Sequence, residues 1–173
     1  MLLKRENCLS RIRPFYNADV IKILTGSRRA GKSKVIELII QELKESGIQD
    51  KDIIYINFEV LKYDEIDDYK KLNTYVLKHK GKGKQYLFFD EIQNAPKAFE
   101  SLKYFCEDAP EYHIIVAGSL LGVALHQGVS YPVGKVDILN LHPLSFREFL
   151  YAMDEQPLAD ALITKDYNLI NAF

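Results

Sequence analysis

The chain has 173 residues, of which 47% are hydrophobic, so it can bury one full core and is about the size of a single domain. Its 23 basic and 24 acidic side chains give a formal net charge of −1, which excludes a global field that would draw it to nucleic acid or to an anionic membrane. It has only two cysteines, no signal-peptide core near Met1, and no run of the roughly 20 apolar residues that a spanning helix needs, so we expect a soluble cytoplasmic protein.

The first predicted strand, Val20–Thr25, leads into a loop with a phosphate-binding pattern. The loop matches G-x-x-x-x-G-K-[ST] at every specified position with Gly26, Ser27, Arg28, Arg29, Ala30, Gly31, Lys32 and Ser33. Apolar residues at near-helical spacing then predict a helix over Lys32–Glu45. Loop and helix-terminal N–H groups bind phosphates in this strand, loop and helix context. The run predicts a nucleoside triphosphate site, and a helix-capping glycine loop without a ligand is the alternative.

A glycine–lysine run at residues 78–84 lies between the second predicted strand, Ile53–Phe58, and the third. It is either a solvated turn or a contact with a phosphate backbone. Asn57 and Glu59, beside the end of the second strand, are further polar candidates for the site.

Two carboxylates follow the third predicted strand, Tyr86–Phe89. Asp90 is expected at the carboxyl edge of the sheet, where open α/β sheets bind their ligands. An acidic pair after a strand can also open a polar loop or start a helix. Beside the phosphate loop, however, the pair predicts that Asp90 holds a metal ion and that Glu91 polarises a water molecule.

The fourth and fifth predicted strands are His113–Ala117 and Val136–Leu141. Because strands alternate with helical segments, the sequence predicts an α/β fold with a mainly parallel, five-stranded sheet. Ser119 follows the fourth strand, where its hydroxyl could contact the γ-phosphate or the attacking water. The alternative for this serine is a helix N-cap.

The expected ligands are ATP and Mg²⁺. Lys32 would contact the β- and γ-phosphates, and the Ser33 hydroxyl would share the magnesium ion with Asp90. Adenine is the default base because an N-K-x-D guanine motif is absent from the sequence. The segment at residues 12–16 could pack either against the base or on the sheet edge.

Four segments together resemble the prokaryotic AAA+-type ATPases that continue into a C-terminal domain of unknown function. These segments are Gly26–Ser33, Phe89–Gln93, Ile115–Ser119 and Leu141–Phe149. The resemblance covers roughly residues 9 to 152, and Pro143–Phe149 is its most family-specific stretch.

The resemblance implies a P-loop NTPase core with strand order 5-1-4-3-2 and helices on both faces. It also implies that Glu91 is the catalytic glutamate, that Ser119 is the sensor residue, and that a C-terminal half is missing. Many relatives carry Gly-Arg before the fifth strand, whereas this chain has Gly134-Lys135. A lysine there keeps the charge and loses the planar fork of arginine.

We expect an ATPase domain at residues 1–155 and the start of a truncated C-terminal region at residues 156–173, because that stretch is rich in apolar residues. The expected partners are ATP, the missing C-terminal region and further copies of the chain. Nucleic acid is a partner only through the lysine run, and no membrane is expected.

Three functions fit these features. The first is an ATPase module that couples nucleotide state to a conformational or assembly change in a larger protein. The second is a nucleotide-dependent interaction or nucleic-acid-handling switch with little hydrolysis. The third is a small-molecule kinase, which is disfavoured because no arginine-rich lid is evident. No arginine is identified as the finger that neutralises transition-state charge, so the isolated chain is expected to bind ATP better than it hydrolyses it.

Overall fold

The computed structural model describes residues 3–100, 102–119 and 135–171. Five strands form its sheet: β1 Ile21–Gly26, β2 Ile53–Asn57, β3 Gln85–Asp90, β4 Tyr112–Ala117 and β5 Val136–Leu141. All neighbouring strands pair in parallel, in the order β2-β3-β4-β1-β5. This is the predicted order, 5-1-4-3-2, counted from the opposite edge, so the fold class and the strand order are confirmed. Each predicted strand boundary lies within one residue of the observed one.

Helices surround the sheet in the described part of the chain. They are α1 Glu6–Ile12, α2 Lys32–Glu45, α3 Tyr69–His79, α4 Pro96–Glu100, α5 Leu102–Asp108, α6 Phe146–Ala152, α7 Gln156–Thr164 and α8 Tyr167–Ile170. The bounds of α2 are those that the apolar spacing predicts.

The core has two layers, one on each face of the sheet. Helices α1 and α2 pack on one face, and α3, α4 and α5 pack on the other. Alternate side chains of strand β3 enter opposite layers: Tyr86 and Phe88 face the α2 side, whereas Leu87 and Phe89 face the α5 side. A parallel strand covered on both faces has no polar side, which explains why residues 86–89 of β3 are a continuous apolar run.

The parallel arrangement brings the carboxyl ends of all five strands to one edge of the sheet. There Gly26 lies opposite Leu141, and Asn57 lies opposite Asp90. The backbone N–H of Gly118, just after β4, donates to the Leu24 carbonyl of β1 at 3.2 Å. The phosphate loop, the acidic pair and Ser119 therefore leave neighbouring strands at the same edge.

Gly26 lies against the backbone of Leu141, its partner in β5. Its φ of 141° lies outside the range that residues with a side chain normally adopt, and a Cβ atom there would stand 2.2 Å from the Leu141 carbonyl oxygen. A glycine is required for both reasons.

After β5, a capping box formed by Ser145 and Glu148 starts α6. Helices α7 and α8 follow, and Ile163 and Tyr167 remain exposed on them. Gly134 and Phe173 lie outside the described residues. Among the described helices, none combines the length and the apolar character needed to cross a membrane.

Replacing Gly26 by alanine is expected to lower the free energy of unfolding by about 2–4 kcal/mol, because the new Cβ adds a backbone clash to an unfavourable φ. Gly47→Ala is the matched control, since Gly47 has a φ of 97° and a Cβ atom added there would have no other atom within 4 Å. It should cost about 1 kcal/mol, from φ alone. Urea unfolding of both variants measures the difference, and equal losses would contradict the close approach at Leu141.

Candidate functional site

The loop between β1 and α2 has the backbone of a cradle. Gly31, with a φ of 90°, is the N-cap residue of α2, and it supplies no side-chain hydrogen bond to the first turn. Lys32 is buried, and its Nζ donates to the carbonyl oxygens of Gly26 at 3.2 Å and Ser27 at 3.1 Å. The ammonium group therefore lies over the first two residues of the loop.

The remaining loop residues differ in exposure. Ser27, Arg28 and Arg29 are exposed, whereas Ala30 is buried and Ser33 is half-buried in the first turn of α2. Arg29 has a φ of 66°, which is uncommon for a residue with a long side chain. Backbone strain of this kind concentrates in ligand-binding loops.

Asp90 ends β3 as a fully buried carboxylate. Its Oδ1 accepts a hydrogen bond from the backbone N–H of Glu91 at 3.0 Å, and its Oδ2 accepts one from the Tyr55 hydroxyl at 3.0 Å. Burial and the negative charge of Asp90 both raise the pKa of Tyr55, so Tyr55 stays a donor. The two bonds fix both oxygens of the carboxylate while leaving each a further lone pair.

Glu91 is held between the ends of β3 and β4. Its φ of 49° is in the left-handed region, and its Oε2 accepts from Gln93 Nε2 and from the Ser119 backbone N–H, the latter at 3.4 Å. Gln93 Oε1 is buried and accepts no hydrogen bond from the described residues. The predicted catalytic glutamate and the predicted sensor serine are thus in direct contact, through the serine backbone.

The two weaker candidates lie beside this pair. Asn57 is next to Asp90 in the sheet register, and its Oδ1 accepts from the backbone N–H of Glu59 at 2.8 Å. The asparagine side chain therefore closes the turn after β2, and Glu59 is exposed on that turn.

A cavity of about 300 Å³ opens beside the loop. It is lined by Leu3, Arg5, Arg29, Ala30, Gly31, Lys34 and Leu144. The cavity adjoins the phosphate loop, because three loop residues line it. Unlike the loop itself, it also offers apolar side chains for contact.

Arg5 forms one wall of this cavity and is buried. It donates to the Ala30 carbonyl at 2.8 Å and to the His142 carbonyl at 3.0 Å, and it forms two bonds with Glu148. Burial by itself would raise the pKa of Glu148, but hydrogen bonds from Ser145 and Arg5 outweigh burial and lower it. The pair is therefore ionised in a buried setting.

The segment at residues 12–16 lies elsewhere. Ile12 is in the core, and Arg13 and Tyr16 both bind Glu42 of α2, with the Tyr16 hydroxyl at 2.8 Å from Glu42 Oε2. The segment thus packs on α2, and residues 3 and 5 are the N-terminal residues that line the cavity.

Sequence reasoning missed four residues of this region: Tyr55, Gln93, Arg5 and Glu148. The capping-box spacing of Ser145 and Glu148 was readable as a helix start. Nothing local marks Arg5, which is separated from Glu148 by 143 residues. Tyr55 could have been found from register, since it lies two residues before the end of a strand that neighbours β3.

A family model described as an AAA domain matches residues 18–150 of the chain. An uncharacterized protein of Haemophilus influenzae is 27% identical over 153 residues, which cover 87% of this chain and 38% of that protein. The Walker-type ATPase PABY2304 of Pyrococcus abyssi has a similar fold, with a TM-score of 0.56 and 18% identity over 87% of this chain and 57% of that one. The Aeropyrum pernix ORC2 protein, solved as ADPNP-ADP complexes, gives a TM-score of 0.51 and 14% identity over 88% of this chain and 49% of that one. The chain therefore spans between about two fifths and three fifths of these proteins.

We expect Tyr55→Phe to lower the free energy of unfolding by about 1.5–3 kcal/mol, because a fully buried carboxylate loses a charged hydrogen bond. Tyr16→Phe is the matched control: it removes a tyrosine–carboxylate bond to Glu42, which is partly exposed and keeps Arg13. Its loss should be smaller, about 0.5–1.5 kcal/mol. Chemical denaturation compares the two, and a smaller loss for Tyr55→Phe would show that its hydroxyl does not hold Asp90.

Proposed function

The chain belongs to the AAA domain family, and on that premise we propose that it binds ATP and hydrolyses it at the carboxyl edge of its sheet. One observation carries the proposal: the loop at residues 26–33 lies at the same edge as Asp90 and Glu91, and Ser119 contacts Glu91. Phosphoryl transfer to water needs a loop that binds the phosphates, a carboxylate that holds the metal ion and a carboxylate that orients the water.

The phosphates would bind over the loop. The first turn of α2 offers N–H groups that no capping side chain takes, and the helix dipole favours an anion there. Lys32 already directs its ammonium group over the loop, where it hydrogen-bonds to the carbonyls of Gly26 and Ser27. It would exchange these neutral acceptors for phosphate oxygens, which form stronger charge-assisted bonds.

The base would occupy the cavity beside the loop. Its volume of about 300 Å³ and its partly apolar lining can accommodate an aromatic ring. Leu3, Ala30 and Leu144 supply the apolar contacts. We propose adenine because the sequence lacks the guanine motif.

The residues present fit a magnesium ion that arrives with the nucleotide. Ser33 and Asp90 offer hard oxygen ligands, and no described group of three or more His, Cys, Asp or Glu side chains could hold a metal alone. Phosphate oxygens and water would have to complete the coordination, as is usual for magnesium. When bound, the ion would neutralise charge on the phosphates.

Glu91 is the group that we propose orients the attacking water. Gln93 and Ser119 engage its Oε2, so the carboxylate is held at the junction of β3 and β4. A glutamate held in this way can accept a proton from water only through an oxygen that these donors leave free. We therefore assign Gln93 and Ser119 the role of positioning Glu91.

We further propose that ATP turnover drives a conformational or assembly change in a larger protein. The support is that the Haemophilus influenzae relative is much longer than this chain. In this proposal the ATPase domain spans residues 1–155, and residues 156–173 begin a region that transmits the change. Other copies of the chain are its proposed assembly partners.

The lysine run favours a second candidate function, a contact with a nucleic-acid backbone. The loop is held by Asp52, which precedes β2, because Asp52 Oδ1 accepts from Gly83 N–H and from Gln85 Nε2, each at 3.0 Å. A Cβ atom on Gly81 would stand 2.0 Å from the same oxygen. All four lysines of the run are exposed and none has an ion-pair partner among the described residues, although Lys80 donates to the Tyr112 hydroxyl and Lys84 to Asn17. Their positive charge lies at the amino end of β3, away from Asp90.

For the ATPase proposal, we expect Lys32→Ala to weaken ATP binding at least tenfold, and Glu91→Gln to keep binding while losing phosphate release. Lys44→Ala and Glu45→Gln, in the last turn of α2, are charge-matched controls that should change neither. Titration with a fluorescent ATP analogue and a phosphate-release assay measure the two effects. Unchanged affinity in Lys32→Ala would reject the loop as the phosphate site.

The same variants test the assembly proposal. Glu91→Gln saturated with ATP should show a larger mass by light scattering, or a changed hydrodynamic radius, relative to the nucleotide-free chain. Identical values in both states would refute a nucleotide-driven change within this chain.

For the second candidate, Lys78→Ser, Lys82→Ser and Lys84→Ser combined should weaken the binding of DNA. The slope of log K against log salt should flatten by about 2, since each phosphate contact on a single strand contributes about 0.7. Lys44→Ser, Lys62→Ser and Lys165→Ser combined remove equal charge elsewhere. Fluorescence anisotropy with single-stranded DNA compares the two, and equal losses would leave no role for the loop.

A further inference from the structure

The stretch at residues 143–149 carries a buried ion pair that reaches the phosphate loop. Arg5 is 6% exposed and Glu148 is 8% exposed, although they belong to opposite ends of the chain. Burying two charges has a large desolvation cost, which is recovered only when geometry and hydrogen bonding are good. The pair therefore merits a functional explanation.

Arg5 connects three parts of the molecule through one rigid group. Nη1 donates to the Ala30 carbonyl in the phosphate loop at 2.8 Å, and Nη2 donates to the His142 carbonyl after β5 at 3.0 Å. Nε and Nη2 donate to the two oxygens of Glu148, at 3.2 and 3.3 Å. Because the guanidinium is planar and its donors have fixed directions, none of these acceptors can shift far without changing the others.

Glu148 connects Arg5 to the first turn of helix α6. Its Oε2 also accepts from the Ser145 backbone N–H at 2.8 Å and from the Ser145 hydroxyl at 3.0 Å. Within α6 only Glu148 and Leu150 are buried, and Phe146 and Phe149 are exposed. The start of α6 is thus held by the ion pair more than by core packing.

The loop end of the connection lies at the ligand site. Ala30 precedes Gly31 and Lys32, so its carbonyl follows the loop conformation directly. Arg5 and Leu144 also line the cavity that we assign to the base. A ligand that fills this cavity would touch the loop, the arginine and the segment before α6 together.

We propose that Arg5 and Glu148 are positioning residues that couple the conformation of the phosphate loop to helix α6. This inference rests on the proposed nucleotide site for its ligand and goes beyond that proposal by naming the route from the site to the C-terminal helices. Nucleotide binding fixes the loop, the fixed loop orders Arg5 and Glu148, and Glu148 orders the start of α6. The coupling is reciprocal. If nucleotide binding favours one conformation of α6 by some factor, fixing α6 in that conformation raises the affinity for nucleotide by the same factor.

The test compares the parent chain with Arg5→Lys and Glu148→Gln. Arg5→Lys keeps the charge and cannot reach three separate acceptors, whereas Glu148→Gln removes the charge and keeps the shape. Arg13→Lys is the matched control, because Arg13 is also an N-terminal arginine paired with a glutamate, Glu42 of α2, and it does not contact the phosphate loop. Circular dichroism and thermal melting establish that each variant is folded.

Two measurements are made on each protein. Amide hydrogen exchange of residues 146–152 is followed with and without ATP, and ATP affinity is titrated with a fluorescent analogue. In the parent and in Arg13→Lys, ATP should slow exchange in α6 several-fold. In Arg5→Lys and Glu148→Gln, ATP should bind roughly fivefold or more weakly and leave exchange in α6 unchanged. The double variant should lose no more affinity than either single variant, because the two residues act as one unit.

The outcomes separate the two proposals. If the parent binds ATP and α6 exchange does not respond, the coupling is wrong and the nucleotide site stands. If α6 still responds in both folded variants, the coupling does not pass through this pair. If the parent shows no ATP binding, the proposed nucleotide site fails and the coupling fails with it. The measurement on the parent can refute the coupling even if a variant does not fold.

Discussion

The parallel direction of all five strands is the constraint on which the site depends. In a parallel sheet every strand delivers its C-terminal residues to one edge, so segments far apart in sequence meet there without any loop being built for that purpose. The register sets which of them touch: β4 lies between β1 and β3, so Ser119 reaches Glu91, and β2 lies beside β3, so Tyr55 reaches Asp90. Gly26 allows the loop to begin at this crowded edge, because no side chain fits against Leu141.

Both carboxylates at this edge, Asp90 and Glu91, accept hydrogen bonds that fix their positions. Asp90 has no exposed surface, and burying a lone carboxylate would be prohibitive, yet Tyr55 and a backbone N–H satisfy it. Glu91 is held in a left-handed backbone conformation by contacts from Gln93 and Ser119. Such strain persists only where the surroundings determine it, which is typical of ligand sites.

The fold and the principal motifs were predictable from the sequence because they depend on local patterns. Apolar spacing predicts α2 residue for residue, and the apolar run at residues 86–89 predicts the central strand β3, since both faces of that strand are buried. The strand order came from the family resemblance, as periodicity carries no information on lateral neighbours. Gln93 and Arg5 were not predictable, because their importance arises from partners that only the three-dimensional structure identifies.

The Arg5–Glu148 pair shows why an ionic contact serves here better than an apolar one. An apolar pair of equal volume would often be as stable, and it would hold α6 equally well by simple burial. It would, however, tolerate sliding, because dispersion contacts have no preferred direction. A guanidinium that donates to Ala30, His142 and Glu148 at once fixes distance and angle together, so displacement at one acceptor is felt at the other two. If the phosphate loop changes conformation when its ligand binds, a directional connection of this kind is needed for helix α6 to change with it.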